Sequence, residues 1–383
     1  MDGLEEKLKG LSLTRRSQQD GSMYLLHGAL QPGGLLAVSC SDHTVRLQDR
    51  TTLDLLGQYQ GHTGPLCGLT FARTSSDLLY SGSADGTVRA WDVRRPGTEA
   101  VQVFSGDPCH RFCSVDLNCS DSLLCAGTEQ VDREDSFLVF WDCRKAGGRL
   151  LGVFSESHSD DITQVCFHPR DRDRLASGSM DGLVNVFDLS QGPEDQALLL
   201  TCNSDSSAAV VVWSGPDHSQ LLCLSHAEGL HLWDVAQLES DRPLTLFSCR
   251  DARSLTPLPG GRGLDYLVGG QWLEEEQTLL VVGGQSEGDL HLMGCDSGGL
   301  RLLSSLQGGH TSTVRCFLWD AEGHALITGG EEAQLLLWKP ADNKQLGGRS
   351  QLEGRSQLMK SHSALKVRSR THRKTGYHRD KKD

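Results

Sequence analysis

The stretch LLYSGSADGTVRAWDVR, residues 78–94, decides the fold of this chain. It contains a run of small and apolar residues, an Asp-Gly turn, and a second alternating run that ends in an aromatic residue. Two such runs joined by Asp-Gly are typical of a β-hairpin. Diverged copies are RLASGSMDGLVNVFDLS, residues 174–190, and HALITGGEEAQLLLWKP, residues 324–340. The sequence therefore predicts an array of similar β-units.

The ends of the second runs give the number of units. These ends stand at Gln48-Asp49, Trp91-Asp92, Trp141-Asp142, Phe187-Asp188, Trp233-Asp234, Met293-Gly294 and Trp338-Lys339. The intervals are 43, 50, 46, 46, 60 and 45 residues, so seven units follow one another. Because a single four-stranded unit cannot bury both of its faces, the units need to pack around a ring.

The pairs Gly61-His62 and Trp91-Asp92 resemble the Gly-His and Trp-Asp signatures of the WD-repeat β-propeller family. The resemblance covers nearly the whole repeat region. It implies an all-β, seven-bladed WD-repeat propeller over residues 10–340, acting in protein interaction and not as an enzyme. Residues 11–14 alternate apolar and polar, so we expect this N-terminal segment to form the outer strand of the last blade.

In WD-repeat proteins a buried polar chain runs from Asp to His to Ser to the indole N–H of Trp, and the resemblance implies such sets here. Each group would cost about 1–3 kcal/mol if it were buried unpaired. The predicted members are His62, Ser81, Asp85 and Trp91 in the second unit, His158, Ser177 and Asp181 in the fourth, and His310, Thr328, Glu332 and Trp338 in the seventh. Phe187 replaces Trp in the fourth unit.

The same residue types also form hydrolase triads, but a triad occurs once and not as a periodic series. Residues 284–288, GQSEG, match the nucleophile-elbow pattern, yet they fall in a predicted hairpin turn instead of a strand-to-helix turn. The sequence has no phosphate-binding loop motif and no H-E-x-x-H motif. We therefore expect no catalysis, no cofactor and no small-molecule substrate.

The 13 cysteines have no paired C-x-x-C spacing, and residues 1–20 contain no apolar leader. Many of them, such as Cys125 and Cys223, lie in apolar strand runs, which is typical of small buried side chains in a reducing compartment. The group from Cys109 to Cys125 does not have the spacing of a closed zinc site, so we expect no metal.

Charge divides the chain into two parts. Residues 341–383 carry 12 Lys and Arg against four acids, a net charge of +8, and the remaining residues have a net charge of −21. The basic segment has few apolar residues and no helical period, so it is predicted to be disordered. Such tails target proteins to the nucleus or nucleolus, or contact RNA phosphates non-specifically. The alternative is an inert solubilising tail or one that folds back on the acidic propeller. The basic residues of the tail are Arg368, Arg370, Arg373, Lys374, Arg379, Lys381 and Lys382.

An acidic ring attracts basic protein partners. The insertion EQVDREDS, residues 129–136, interrupts the hairpin of the third unit, and in this family that turn shares a rim with the Gly-His loop. The predicted acidic rim consists of Asp132, Glu134, Asp135, Asp160 and Asp161. Ordinary surface charge explains these acids equally well. A second insertion, residues 251–263, is predicted to face a partner.

These features predict a non-enzymatic interaction scaffold, nuclear or nucleolar with the cytoplasm as the alternative, with a role in ribosome assembly and no membrane partner. A rival reading comes from two W-D-x-R motifs, which end at Arg94 and Arg144. In some WD-repeat proteins an Arg so placed contacts the damaged-DNA-binding adaptor of cullin-4 ubiquitin ligases. Many propellers carry the motif without that role. The rival predicts a substrate receptor of such a ligase, with both arginines at the end opposite the Asp85 turn.

Overall fold

The computed structural model describes residues 2–341 except 20–22, 134, 146, 237–242, 256–257 and 259–262. This part of the chain forms seven four-stranded antiparallel sheets, which are the blades of a β-propeller. The predicted all-β, seven-bladed fold is thus confirmed. The predicted basic tail beyond Ala341, with its cations from Arg368 to Lys382, lies outside the described residues. No helix in the described ranges is long and apolar enough to cross a membrane.

The strands are numbered along the chain. Blades one to three contain β2–β5 (Leu25–Leu30, Leu35–Cys40, Val45–Asp49, Leu55–Tyr59), β6–β9 (Leu66–Phe71, Leu78–Ser83, Thr87–Asp92, Gln102–Ser105) and β10–β13 (Phe112–Leu117, Leu123–Thr128, Ser136–Asp142, Arg149–His158). Blades four to six contain β14–β17 (Gln164–Phe167, Arg174–Gly178, Leu183–Asp188, Leu198–Asn203), β18–β21 (Ala208–Ser214, Gln220–Ser225, Leu230–Asp234, Leu244–Cys249) and β22–β25 (Tyr266–Leu273, Thr278–Gly284, Leu290–Asp296, Gly299–Leu306). Blade seven contains β26–β28 (Val314–Asp320, Ala325–Gly330, Gln334–Pro340) and β1 (Leu11–Gln18).

The remaining elements are short. They are α1 (Asp2–Lys9), α2 (Glu194–Ala197) and three 3-10 turns at Leu189–Gln191, Pro216–His218 and Ala252–Ser254. Two of these turns begin after an Asp whose side chain accepts a backbone N–H, as Asp188 does from Ser190 N–H.

The hydrophobic core lies between neighbouring blades. The second strand of each blade is buried on both faces, as in β7, where five of six residues are buried. Side chains of one blade pack against the next: the rings of Tyr59 in blade one and Trp91 in blade two are 5.3 Å apart. The outermost strands are less buried than the second strands, most clearly β13, because no further strand covers them. This pattern explains why the middle strands have continuous runs of apolar and small residues.

The N-terminal segment completes the ring. β1 pairs antiparallel with β28 from Leu11 opposite Pro340 to Gln18 opposite Gln334, so the first strand of the chain is the outer strand of its last blade. The helix α1 precedes the predicted start of the domain at residue 10 and buries Leu4 and Leu8 against blades six and seven. The sequence analysis did not anticipate this helix.

The propeller has two ends, which we call upper and lower. The upper end carries the turns between second and third strands and the loops that connect one blade to the next; Ala84 N–H donates to Pro65 O between two such segments. The lower end carries the turns between first and second strands and the loops between third and fourth strands; Val93 N–H donates to Asp77 O there. Each predicted site can therefore be assigned to one end.

Candidate protein-interaction surfaces

Blade two contains a closed chain of four polar side chains. Its His62 lies in the loop before β6, with Nδ1 3.0 Å from Asp85 Oδ2 in the turn after β7. Because a carboxylate only accepts, the proton is on Nδ1. Nε2 is 2.8 Å from Ser81 Oγ, which also accepts the indole N–H of Trp91 at 2.8 Å. The chain fastens an upper loop, an upper turn and two strands to one another.

The carboxyl of Asp85 is held in its charged form. Burial raises its pKa, but hydrogen bonds from His62, the Thr87 hydroxyl and Thr63 N–H lower it by more, so the pKa lies well below its usual range. A lowered carboxyl pKa means that the folded state favours the carboxylate.

Blade four has the same chain of polar side chains except for its last donor, the indole N–H. Nδ1 and Nε2 of His158 lie 3.0 Å from Asp181 Oδ2 and 2.7 Å from Ser177 Oγ. Phe187 occupies the position of the indole and donates nothing. Asn185 Nδ2 instead donates to Ser157 O in the upper loop at 2.7 Å.

Blade seven has the chain with a longer acid. Its His310 contacts Glu332 Oε1 at 2.5 Å and Thr328 Oγ1 at 2.7 Å, and Trp338 Nε1–H donates to Thr328 Oγ1 at 2.9 Å. Burial raises the pKa of Glu332, but hydrogen bonding and charge attraction to His310 lower it by more. The extra methylene of Glu therefore still allows the bond to His.

These chains are built for holding the fold. Ser81, His62 and Asp85 are bonded in the order of a hydrolase triad, but Ser81 is 0% exposed and its oxygen is occupied by an indole N–H. A substrate atom therefore has no approach to this oxygen. What the chains provide is a rigid upper end, on which exposed loop residues take fixed positions.

Two buried histidines of blades five and six were missed by the sequence analysis. Nδ1 of His231 is 2.9 Å from Ser248 Oγ, and Nδ1 of His291 is 2.9 Å from Ser305 Oγ. Burial lowers the pKa of both rings. The signal was present, because each histidine stands two residues before the terminal residue of its third strand pattern. The same position is polar in blades one, two and four, where it holds Arg46, Arg89 and Asn185.

Exposed acids collect at the upper end beside blade three. The insertion after β11 is tied to the loop before β14, because Gln130 N–H donates to Asp161 Oδ1 at 2.7 Å and Gln130 Nε2 donates to Ser159 O at 2.7 Å. This brings exposed Asp132 and Asp135 next to half-buried Asp160 and Asp161. Of the predicted rim, Glu134 lies outside the described residues.

The acids continue toward blade five. Met180 N–H donates to Asp161 O, and Ser207 Oγ donates to Met180 O, so the loop that carries exposed Asp205 adjoins the same surface. In the described part of the chain no salt bridge reaches any member of this group, which we call the acidic face: Asp132, Asp135, Asp160, Asp161 and Asp205. The negative electrostatic potential of the acidic face is therefore available to a cationic ligand.

The two W-D-x-R arginines, at the lower end, are paired with carboxylates instead. Nε and Nη2 of Arg94 donate to the two oxygens of Asp92 at 2.8 and 2.7 Å, and Nη1 is 2.9 Å from Asp77 Oδ2. Arg144 makes the same fork with Asp142 at 2.9 and 3.0 Å. Hydrogen bonds from these arginines lower the pKa of both partner carboxyls to about 2. The two guanidinium side chains are 65% and 70% exposed.

This two-bond contact between the guanidinium and the carboxylate is a local property of an Asp-x-Arg sequence. At the upper end Arg253 repeats it, with Nε and Nη2 at 2.8 and 2.9 Å from the oxygens of Asp251. In all three cases the Arg N–H also donates to the Asp side chain at 3.0 Å. The W-D-x-R geometry therefore forms without a partner and does not by itself identify one.

The cysteines are all free thiols. Burial raises the pKa of Cys223 to about 12 and the pKa of Cys125 well above its usual range, so both remain protonated at neutral pH. Among the residues that the structure describes, no three His, Cys, Asp or Glu side chains are placed to hold a metal ion.

Comparison with known proteins finds one family in the repeats. The family described as "WD domain, G-beta repeat" matches residues 53–92, 148–188 and 300–339. Each segment covers the outer strand of one blade and the first three strands of the next blade: blades one and two, three and four, and six and seven.

Proteins with similar sequences come from several organisms. The WD repeat-containing protein 89 homolog of Dictyostelium discoideum is 27% identical over 83% of this chain and 83% of its own length. The WD repeat-containing protein GTS1 of Arabidopsis thaliana is 28% identical over 79% of this chain and 78% of its own length. The pre-mRNA-processing factor 19 of Mus musculus is 28% identical over 49% of this chain and 37% of its own length.

Proposed function

The chain belongs to the WD-repeat β-propeller family, whose members are generally non-catalytic scaffolds, and from that premise we propose that it is a protein-interaction scaffold for basic partners. The observation that carries the proposal is the acidic face. The polar chain of blade four fixes the loop that carries Asp160 and Asp161, and Gln130 ties the 129–136 insertion to that loop. Among the described residues no salt bridge reaches the acids of this face. Binding would bring the missing cations, Lys and Arg, from the partner.

We place this activity in the nucleus or nucleolus, in the handling of ribosomal or other RNA-binding proteins. Such proteins have the Arg-rich and Lys-rich segments that an acidic surface attracts. The name of the mouse relative refers to pre-mRNA processing, which is a nuclear process. The basic tail supports the same location, either as a targeting signal or through non-specific contact with RNA phosphates.

Neutralising the acidic face should weaken binding of a basic probe. We expect the triple variant Asp132→Asn, Asp135→Asn, Asp205→Asn to bind a fluorescent nona-arginine peptide about tenfold more weakly, since exposed charges contribute a few tenths of a kcal/mol to 1 kcal/mol each. Asn suits Asp132 and Asp205, which have φ of 55° and 56°. Fluorescence anisotropy at low and at moderate salt measures the affinity.

A matched variant removes the same charge from the lower end: Asp54→Asn, Glu99→Gln, Glu275→Gln, all exposed. It should keep most of the affinity of the wild type. Equal loss in both variants would show that only net charge matters and would contradict a specific face. In cells, proximity labelling should recover mainly nucleolar and ribosomal proteins, and a cytosolic distribution unaffected by deletion of residues 360–383 would refute the location.

The second candidate is a substrate receptor of a cullin-4 ubiquitin ligase. It is favoured by one observation: Arg94 and Arg144 follow the third strands of adjacent blades at the same lower end, and both are exposed. Arg donates through a planar fork that Ala cannot replace. If this function is correct, the wild type captures the adaptor and the double variant Arg94→Ala, Arg144→Ala does not. A wild type that captures no adaptor eliminates this candidate and leaves the scaffold.

A further inference from the structure

We propose that the outer edge of blade three is a second binding surface, with a notch at Gly152 that receives an apolar side chain from an extended acidic segment of a partner protein. This surface is separate from the acidic face and selects for the opposite charge. The proposal goes beyond the scaffold function described above, which concerns basic partners at the upper end.

Gly152 occupies a position that recurs in the outer strands. It lies opposite Phe140, which directly precedes Trp141, the tryptophan near the end of β12. The positions opposite the corresponding residues in blades one, two, four, five and six are Gly57, Gln102, Leu200, Phe247 and Ser304. The pairing of the third with the fourth strand is irregular beside this position in several blades, including blade four at Leu200 and blade five at Phe247. The local backbone therefore does not require glycine.

In blades one and two the neighbouring blade fills this position. A Cβ added to Gly57 would lie 2.3 Å from Pro96 Cγ in the lower loop of blade two. The amide of Gln102 donates to Lys145 O in the lower loop of blade three at 3.0 Å. A Cβ added to Gly152 has no heavy atom of the described chain within 4 Å, and the φ of Gly152 is not left-handed. Blade three thus leaves open a contact that its neighbours make.

The surroundings of this notch are apolar and cationic. Leu150, Leu151 and Val153 are 47%, 51% and 38% exposed, and the outer strands of blades one and two also expose apolar residues. Exposed Arg149 and Lys145 stand beside them, and neither forms a salt bridge among the described residues. Exposed acids of blade four include Asp195 and Asp171, and Asp171 Oδ2 lies 3.6 Å from Arg174 Nε. The balance of charge on the β13 side favours Asp and Glu in the ligand.

The upper half of the same strand edge already binds a carboxylate. Ser155 N–H and Glu156 N–H donate to the two oxygens of Glu194 at 2.7 and 2.9 Å, and the Ser157 hydroxyl donates to the same group. Glu194 comes from α2 and closes the edge at that point. The lower half, residues 149–153, is exposed throughout. An uncovered apolar edge of this kind accepts an added strand, and glycine in such an edge lets another backbone approach.

The occupant is therefore an extended segment with an apolar anchor next to Asp or Glu. The test is a random dodecapeptide library displayed on phage, selected on the full-length wild type and depleted against the variant Gly152→Leu. Selected sequences should combine an apolar residue with flanking acids. The corresponding synthetic peptides should bind Gly152→Leu at least about tenfold more weakly than the wild type, because the new side chain fills the notch.

Three further measurements make the outcome decisive. Gly152→Leu should melt at or above the temperature of the wild type, because strand glycine is entropically unfavourable. The matched variant Ser304→Leu, at the same position of blade six, should bind the peptides like the wild type, and Arg149→Glu should bind them several-fold more weakly. Selection of basic peptides, equal binding to Gly152→Leu, or a wild-type dimer that this variant dissociates would each overturn the proposal. Nona-arginine binding should be unchanged in Gly152→Leu, which separates this test from that of the acidic face.

Discussion

Deletion of residues 1–19 is expected to abolish cooperative folding of the whole propeller. These residues include β1, which pairs with β28 over its full length, and α1, which buries Leu4 and Leu8. Loss of two buried leucines alone costs about 4–10 kcal/mol, which is comparable with the total stability of a domain. The Thr14 hydroxyl also donates to Leu337 O at 2.9 Å, and the Arg16 guanidinium donates to Gly309 O at 3.0 Å.

The measurement is calorimetry or circular dichroism of the truncated protein on heating. We expect insoluble protein or a broad transition without the heat absorption of the wild type. The matched control is Arg15→Ala, since Arg15 is an exposed residue of the same strand with its pairing through the backbone alone. This variant should melt like the wild type. A truncated protein with the full melting temperature would show that β28 does not need its partner.

The ring illustrates what a repeat sequence specifies. The apolar run, the tight turn and the terminal aromatic residue recur at regular intervals, so hairpins and blade number follow from short-range pattern. The helix α1 did not follow, because DGLEEKLK has few apolar residues and its burial depends on a groove between blades six and seven. Only the closed ring creates that groove. A tertiary contact of this kind has no signature in eight residues.

Some of the polar sites could be predicted from the sequence and others could not. Residues of the buried chains stand at fixed distances from a turn, so His62, Ser81 and Asp85 could be grouped from spacing together with the family resemblance. The contact between the 129–136 insertion and Asp161 depends on one backbone N–H, that of Gln130, and no spacing rule encodes it. The notch at Gly152 is less visible still. It is an empty space, defined only by what the neighbouring blade fails to fill.

Removal of the carboxylate of Asp85 should destabilise the fold in a pH-dependent manner. In Asp85→Ala, the buried His62 Nδ1–H and the N–H of exposed Thr63 lose their acceptor. We expect the free energy of unfolding at pH 7 to fall by about 3 kcal/mol, from one or two unsatisfied donors at about 1–3 kcal/mol each. Equilibrium unfolding in urea measures the difference.

Asp42→Ala is the matched control. Asp42 occupies the corresponding turn of blade one and accepts from Thr44 N–H and the Thr44 hydroxyl at 3.1 and 2.7 Å. Among the described residues no histidine bonds to Asp42, and its Oδ2 lies 3.7 Å from Nη2 of buried Arg46. Asp85 makes the same two bonds to Thr87 at 3.0 and 2.6 Å. The two variants therefore compare the bonds of Asp85 to His62 and Thr63 with the ion pair of Asp42 and Arg46. Equal losses in the two variants would mean that the turn, and not the polar chain, is what the carboxylate supports.

The pH dependence has a definite sign. The folded-state pKa of Asp85 is lowered, so its contribution is fully present above the ordinary carboxyl pKa of 3.8 and is lost as the pH falls below that value. Asp116 has the opposite sign: burial raises its pKa to about 6, so its contribution is present below pH 3.8 and is lost as the pH rises through 6. The stability of the wild type mixes the two effects. Asp116 is present in both proteins, however, so the difference between wild type and Asp85→Ala isolates Asp85. That difference should shrink as the pH falls from 5 toward 2, and a difference that stays constant would show that the charge of Asp85 does not hold His62.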